Sequence, residues 1–436
     1  MPYPEYLPYQ RKKKRWPRVL FISMVVLALT GLLLYQIPYI HRRASWRLDI
    51  ASTYIRMVLN PVKDLPTPAV QVAAEPQVET TNAAPPTNTP EPTATALPTA
   101  TPIYTPTATL VPTPIPASVV LDPPAYDEVR DKQDVNNCGP ATMALYLRYY
   151  GWDGTQYDVA KIAKPEDDDR NVNVEELIYY VRNYAGWLNA EFRVGGDLDT
   201  LKNIIASGIP VMIEETFTTD RQYWPEDDKW AGHYLLITGY DDANQVFTAQ
   251  DSELGPNQHI LYDDLDDHWQ SFNRVYIMVY PPEMEPALMS VLGDNWDADI
   301  NRQHALETAQ YETQEDPQNA FVWFNLGTNL TYFERYDEAA DAYDTARTIG
   351  LPQRMLRYQF GPFISYFHSL RTEELLALTK YALGITRTSE EAMLWRGWAF
   401  YRQGDSSTAL KYFHDALKIH PNYEDAQLAI QTVQGG

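Results

Sequence analysis

From Pro61 to about Ser118 the chain repeats proline and threonine, as in Pro90-Glu91-Pro92-Thr93-Ala94-Thr95 and Thr105-Pro106-Thr107. Proline lacks the amide hydrogen that helices and sheets use, and the stretch has too few apolar side chains to offset the entropy of ordering it. Residues 61–118 therefore read as a disordered Pro/Thr-rich linker. It divides the 436 residues into a short N-terminal piece and a long C-terminal piece that must each fold without it. Fully extended at ~3.1 Å per residue, such a segment reaches on the order of 170 Å, which suits a spacer.

The N-terminal piece opens with Arg11, Lys12, Lys13, Lys14, Arg15 and Arg18. Val19 to Ile37 then carries no charge and only Ser23, Thr30 and Gln36 as polar residues. At about 1.5 Å per residue that run suffices to span a bilayer core of roughly 30 Å. Bulky residues at Leu33-Leu34-Tyr35-Gln36-Ile37 offer no cleavage site, so a transmembrane signal anchor at 19–37 is expected rather than a removable signal peptide. More basic residues precede the run than follow it at Arg42, Arg43 and Arg47. The basic tail, residues 1–18, is therefore expected in the cytoplasm and everything after the anchor outside, as a single-pass cell-membrane protein. Residues 38–60 mix apolar and arginine side chains and read as a juxtamembrane amphipathic segment, in the membrane interface or as a connector helix.

The C-terminal piece contains the chain's one cysteine, in Asn136-Asn137-Cys138-Gly139-Pro140-Ala141. A lone thiol forms no intramolecular disulfide. The residues after it predict a helix, with Pro140 in the first turn, Ala141, Ala144, Leu145 and Leu147 as apolar positions and Gly151 as the stop. A thiol at a helix N-terminus feels the positive end of the dipole, which favours the nucleophilic thiolate. A small buried core residue is the other reading.

A thiolate nucleophile needs a base, and the base needs an orienting group. His233 has the best setting of the eight histidines. Gly232–Tyr240 reads as one strand, 241–244 as a turn and Gln245–Asp251 as a second strand. A hairpin centred on Asp242 places position 233 opposite position 251, with His233 and Asp251 on one face about 5 Å apart at Cβ. A one-residue slip would separate them. His259 and His268 have no such partner. Gln133, five residues before Cys138, offers an amide for an oxyanion or serves as a polar loop residue.

Gln133 with Asn137-Cys138-Gly139-Pro140-Ala141, then Gly232-His233-Tyr234, then Asp251, resembles the C39-like group of papain-fold cysteine peptidases, relatives of double-glycine leader peptidases. The resemblance covers roughly residues 119–285. It implies an α+β peptidase domain in which Cys138 is the nucleophile, His233 the general base, Asp251 its orienter and Gln133 the oxyanion donor, acting on a peptide or protein substrate. The exporter relatives carry a nucleotide-binding domain. No glycine loop ending in Gly-Lys-Ser/Thr occurs here, so a transporter is excluded. A thiol acyltransferase or amidase on the same fold, or an inactive surface scaffold, are the alternatives.

An internal repeat follows. Trp323, Leu326, Gly327, Ala339, Tyr343 and Ala346, and again Gly397, Phe400, Ala409, Phe413, Ala416 and Pro421, have tetratricopeptide spacing. Small residues at Gly327, Ala339, Gly397 and Ala409 are expected to let paired helices approach, with Tyr343 and Phe413 filling the gap. Residues 354–389 form a degenerate middle repeat, and Ala305 and Ala309 mark a leading one. Residues 286–436 thus resemble an all-α tetratricopeptide-repeat domain with its own core, whose groove takes a protein partner or substrate, or which braces the peptidase domain.

The formal net charge is −23 although the N-terminus is basic, which argues against nucleic acid as a partner. The acidic run 166–169 starts like a calcium loop, but Val172 stands where a glycine is needed. No cofactor or metal is expected.

Overall fold

The computed structural model describes residues 16–61, 64–68, 115–166 and 169–435. The tail through residue 15, most of the Pro/Thr segment, and Asp167 and Asp168 lie outside the described residues.

The apolar run of the N-terminus is helical as far as Tyr35, and a second helix follows it. α1 covers Trp16–Tyr35 and α2 covers Pro38–Leu59. Pro38 cannot donate to the preceding turn, so the first helix stops before it. Among the described residues no helix is long and apolar enough to cross a membrane, and the span expected over 19–37 is without support in the fold. Leu20, Phe21, Leu27 and Leu33 of α1 are exposed. α2 does more than an interfacial helix would, since Thr53 and Met57 are buried, as is Leu65 beyond it. Arg347 of the repeats donates from Nε to the Pro66 carbonyl at 2.9 Å.

The far end of the Pro/Thr segment is tied down too. Tyr240 Oη donates to Pro116 O at 2.7 Å, and β1 (Ser118–Val120) pairs antiparallel with β4 (Trp230–Asp241). Both ends of residues 69–114 are thus fixed on the same folded body. Residues 69–114, on which the spacer reading rests, lie outside the described residues.

α3 (Glu128–Asp131), α4 (Cys138–Tyr149), α5 (Gln156–Ala163) and α6 (Val174–Tyr184) precede most of the sheet. Capping boxes at Thr155/Asp158 and Asn173/Glu176 start α5 and α6. β2 (Asn189–Arg193), α7 (Leu198–Ala206), β3 (Val211–Thr218), β4, β5 (Val246–Asp251), β6 (Gly255–Leu261), α8 (Tyr262–Gln270) and β7 (Tyr276–Tyr280) follow. The strands order as β2-β7-β3-β4-β5-β6, every pairing antiparallel. Alternation puts Met212, Leu236 and Ile277 in one core with Met143, Leu177 and Val181 of α4 and α6. Ile213, Leu235 and Met278 join Leu201, Ile204 and Leu265 of α7 and α8 in the other.

α9 (Glu285–Leu292) and α10 (Ala298–Glu315) lead into the helical half. There α11 (Ala320–Tyr332) pairs with α12 (Tyr336–Ile349). α13 (Met355–Tyr358), α14 (Gly361–His368) and α15 (Thr372–Ile385) occupy the degenerate middle. α16 (Glu390–Arg402) pairs with α17 (Ser406–Ile419), and α18 (Glu424–Gly435) closes the stack. The expected close approaches are present. A Cβ on Gly327 would lie 2.7 Å from Tyr343 Cε1, and one on Gly397 2.4 Å from Phe413 Cε1.

The repeats have an apolar cluster of their own in Leu394, Ala409, Phe413 and Ala416, but their first helices share one with the sheet half. One apolar cluster runs from Met143 and Leu177 through Trp230 and Phe272 to Phe324, Tyr343 and Leu378. Arg354 Nη2 meets Asp227 Oδ2 at 2.6 Å, both side chains almost fully buried. Trp224 Nε1 donates to Gln353 Oε1 at 2.8 Å. The degenerate middle repeat is irregular because its residues serve this junction instead of a regular helix pair.

Candidate active site

Cys138 opens α4 at the end of a loop that is fixed from three sides. Asn136 takes the left-handed backbone conformation at φ 52°, one of the few L residues to tolerate it. Its carbonyl accepts from Lys164 Nζ at 3.0 Å. Buried Asn137 donates from Nδ2 to Gln156 Oε1 at 2.7 Å, and Gln156 Nε2 donates to Lys132 O at 2.8 Å. Gln133 N donates to Ser252 O at 2.8 Å, and Ser252 Oγ donates to Gln133 Oε1 at 2.9 Å. The second bond occupies the Gln133 carbonyl and leaves the NH₂ end of the amide as the donor.

His233 and Asp251 are brought together, though not in the expected register. Asp251 stands opposite Leu235, because the turn is longer than supposed and a bulge interrupts β4 between Ile237 and Gly239. The net shift is two residues, so both side chains stay on one face, as diagonal neighbours. His233 Nε2 lies 2.9 Å from Asp251 Oδ1, with both residues buried. The same carboxylate oxygen accepts the amides of Glu253 at 2.6 Å and Leu254 at 3.1 Å. With Nε2 engaged by Asp251, Nδ1 is the ring nitrogen left for Cys138.

The electrostatics favour an ion pair. Burial works against charge on each partner. For Cys138 it is outweighed by the hydrogen bond and charge of His233 and by the amides of Tyr234 and Gly139, so the thiol sits below its ordinary value. For His233, burial is outweighed by the hydrogen bonds to Asp251 and Cys138, and its pKa is pushed up to about 10. Asp251 is held down despite burial by His233 and its two amides. The arrangement can therefore hold a thiolate and an imidazolium side by side at neutral pH.

Two neighbours were not anticipated. Glu215 stands directly across from His233 in the β3–β4 register. Burial lifts its carboxyl to about 7, against the nearby charge of His233, and its Oε2 has no hydrogen-bond partner among the described residues. The Phe217 ring packs 4.9 Å from the His233 ring. The available signal was Glu214-Glu215 inside the apolar run 209–217, since paired carboxylates rarely enter a buried strand without a task. His259 and His268 are exposed and do not line the cavity.

Gln133, Cys138, His233, Glu214 and Phe217 line a cavity of about 760 Å³. Arg354, Arg357 and Tyr358 of the repeat half form another part of its wall, and Arg47 and Ile50 of α2 reach its edge.

Residues 121–280 match the profile of the Peptidase_C39 like family, and residues 391–423 that of a tetratricopeptide repeat. Among solved structures, a C39-like peptidase from Bacillus anthracis is 15% identical with a TM-score of 0.30, over 37% of this chain and 96% of that one. Xylellain, a cysteine protease from Xylella fastidiosa, is 13% identical with a TM-score of 0.30, over 38% and 87%. The protein MamA is 13% identical with a TM-score of 0.28, over 31% and 78%. No curated protein matches the chain.

Proposed function

With a C39-like peptidase domain at 121–280 and a tetratricopeptide repeat at 391–423 as the premise, we propose that this chain is a cysteine peptidase that hydrolyses peptide bonds through Cys138, His233 and Asp251. The observation that carries the reading is a thiol at a helix N-terminus that shares the wall of an open cavity with an imidazole held by Asp251 at 2.9 Å. The Cys138 thiolate attacks the scissile carbonyl. The Gln133 NH₂ and the Cys138 amide stabilise the oxyanion. His233 delivers its Nδ1 proton to the leaving amine, and a water deprotonated by the same nitrogen then clears the thioester. Asp251 fixes the ring so that Nδ1, and not Nε2, faces the sulfur.

The cellular setting belongs to the same proposal. The basic N-terminal cluster and the exposed apolar side chains of α1 support insertion of the first helix in the cell membrane, with the N-terminus cytoplasmic and the peptidase domain outside. The repeats supply a surface for a protein substrate or partner.

The test is hydrolysis of a fluorogenic peptide library by the purified chain beside Cys138→Ala, with mass spectrometry of the products. Turnover by the wild type and none by the variant is expected. Equal product from both would remove the peptidase reading.

A further inference from the structure

We propose that Arg357 and its arginine neighbours form an anion subsite in the catalytic cavity, which selects peptide substrates by a carboxylate: an acidic side chain or the C-terminus. This deepens the peptidase reading and rests on it. The chain is acidic overall, at −23, yet Arg170, Arg354 and Arg357 all line the cavity that holds Cys138 and His233. Arg354 is neutralised by Asp227 at 2.6 Å. Arg357 is not. It is 7% exposed, its Nε donates to Thr386 Oγ1 at 2.9 Å, and its Nη2 has no hydrogen-bond partner among the described residues. Burying a guanidinium with an unmet donor is costly unless an anion arrives. Arg170 feels the crowding: burial, then the charges of Arg357 and Arg354, draw its pKa down to about 9. A planar guanidinium with an unmet Nη2 donor suits recognition of a carboxylate.

The wall bearing Arg357 is set firmly against the catalytic strand. Tyr358 packs against Trp230 and Phe272 with ring centroids 5.6 and 6.0 Å away, and a Cβ on Gly232, beside His233, would lie 3.2 Å from Tyr358 Cδ1. Because Arg354, Arg357 and Tyr358 come from the repeat half, the repeats complete the substrate cavity itself.

The experiment compares matched peptides, Asp against Asn, Glu against Gln, and free C-terminus against C-terminal amide, on the full chain and on Arg357→Met and Arg357→Lys. The wild type is expected to prefer one acidic class by at least about tenfold in kcat/KM. Arg357→Met should lower kcat/KM for acidic peptides at least about tenfold more than for their neutral counterparts, which abolishes the preference, and Arg357→Lys should keep part of it. Binding of the same labelled peptides to Cys138→Ala, by fluorescence anisotropy, reads the subsite even if nothing is cleaved. A side-chain preference or an end-group preference identifies the source of the carboxylate. No acidic preference in binding, or an equal loss for acidic and neutral peptides in Arg357→Met with Cys138 alkylation intact, overturns the subsite.

A different part of the molecule carries a second inference. The geometry points to a zinc-type divalent cation site joining the two halves, made by Glu176 of α6, Glu390 of α16 and His420. One donor atom from each lies within 4.8 Å of the others, and His420 Nδ1 is 3.4 Å from Glu390 Oε1 and 3.8 Å from Glu176 Oε1. The independent sign of a ligand is Glu390: it is 3% exposed, and its Oε2 has no hydrogen-bond partner among the described residues. Two carboxylates with one imidazole nitrogen form a donor set that Zn²⁺ accepts. The full chain, stripped with a chelator and dialysed against trace ZnCl₂, should retain about one zinc by elemental analysis and gain at least about 4 °C in Tm. Glu390→Gln and His420→Ala should lose both effects. Retention below about a tenth of an equivalent, or an unchanged response in both variants, overturns the site.

Discussion

An unperturbed thiol with pKa near 8.5 is ionised to about 0.3% at pH 6 and to about half at pH 8.5, so its alkylation rate climbs on the order of 150-fold between them. Cys138 should not follow that curve. Its thiol is held below the ordinary value by His233 against burial, and His233 is itself raised from 6.5 to about 10. Removing the ring by His233→Ala leaves burial, the largest influence, opposed only by the amides of Tyr234 and Gly139, so the thiol moves upward. Iodoacetamide labelling of the single cysteine, followed by mass spectrometry from pH 5 to 9, reads this directly. The wild type should react at pH 6 at least tenfold faster than the unperturbed curve allows. His233→Ala should fall to that curve or below it, while His259→Ala and His268→Ala change nothing. A wild-type rate rising tenfold per pH unit through neutrality, or a His233→Ala rate equal to the wild type, would refute the ion pair.

Three further outcomes are expected. Asp251→Asn should destabilise the chain by about 1–3 kcal/mol at pH 6 in urea unfolding; because the folded pKa of His233 is raised, its contribution is full below ~6.5 and is lost as pH rises through about 10, so the gap between wild type and variant should narrow toward pH 10. A pH-independent gap would show that Asp251 acts only as a structural acceptor. Gly397→Ala should cost about 1–3 kcal/mol by overpacking, since the new Cβ would stand 2.4 Å from Phe413 Cε1; Phe413→Leu should recover part of the Tm lost, and an unchanged Tm in the single variant would contradict the packing. A chain ended at Glu285 should bind a hydrophobic dye and lose alkylation at pH 6, because it forfeits the buried Arg354–Asp227 pair and the Tyr358–Trp230–Phe272 contacts; a cooperative melt and retained labelling would restore the picture of separable halves.

The parts of the site that were legible in the sequence are those set by local rules. The Cys138 helix and the Gly232–Asp251 hairpin follow from capping, turn residues and apolar alternation. The pairing of His233 with Asp251 survived a wrong register because the error was two residues, which preserves the face. A bulge at Thr238 is invisible to a pattern of period two, and without the longer turn it would have separated the pair. Gly327 and Gly397 were readable because tetratricopeptide helices touch at fixed spacing. Glu215 was not read, since its significance comes from its cross-strand partner His233, 18 residues away in sequence.

The junction was illegible for a related reason. Gln353, Arg354, Arg357 and Tyr358 break the repeat spacing, and in isolation they look like decay of a motif. In the fold, each faces the peptidase half: Gln353 takes the Trp224 indole, Arg354 takes Asp227 and the Trp230 carbonyl, and Tyr358 packs on Trp230. Their departure from the repeat pattern is what frees them to form a wall of the catalytic cavity. A repeat that followed its consensus here would present a regular helix pair, with no arginine turned toward the cysteine. The weakest repeat in the sequence is therefore the one most closely joined to the chemistry.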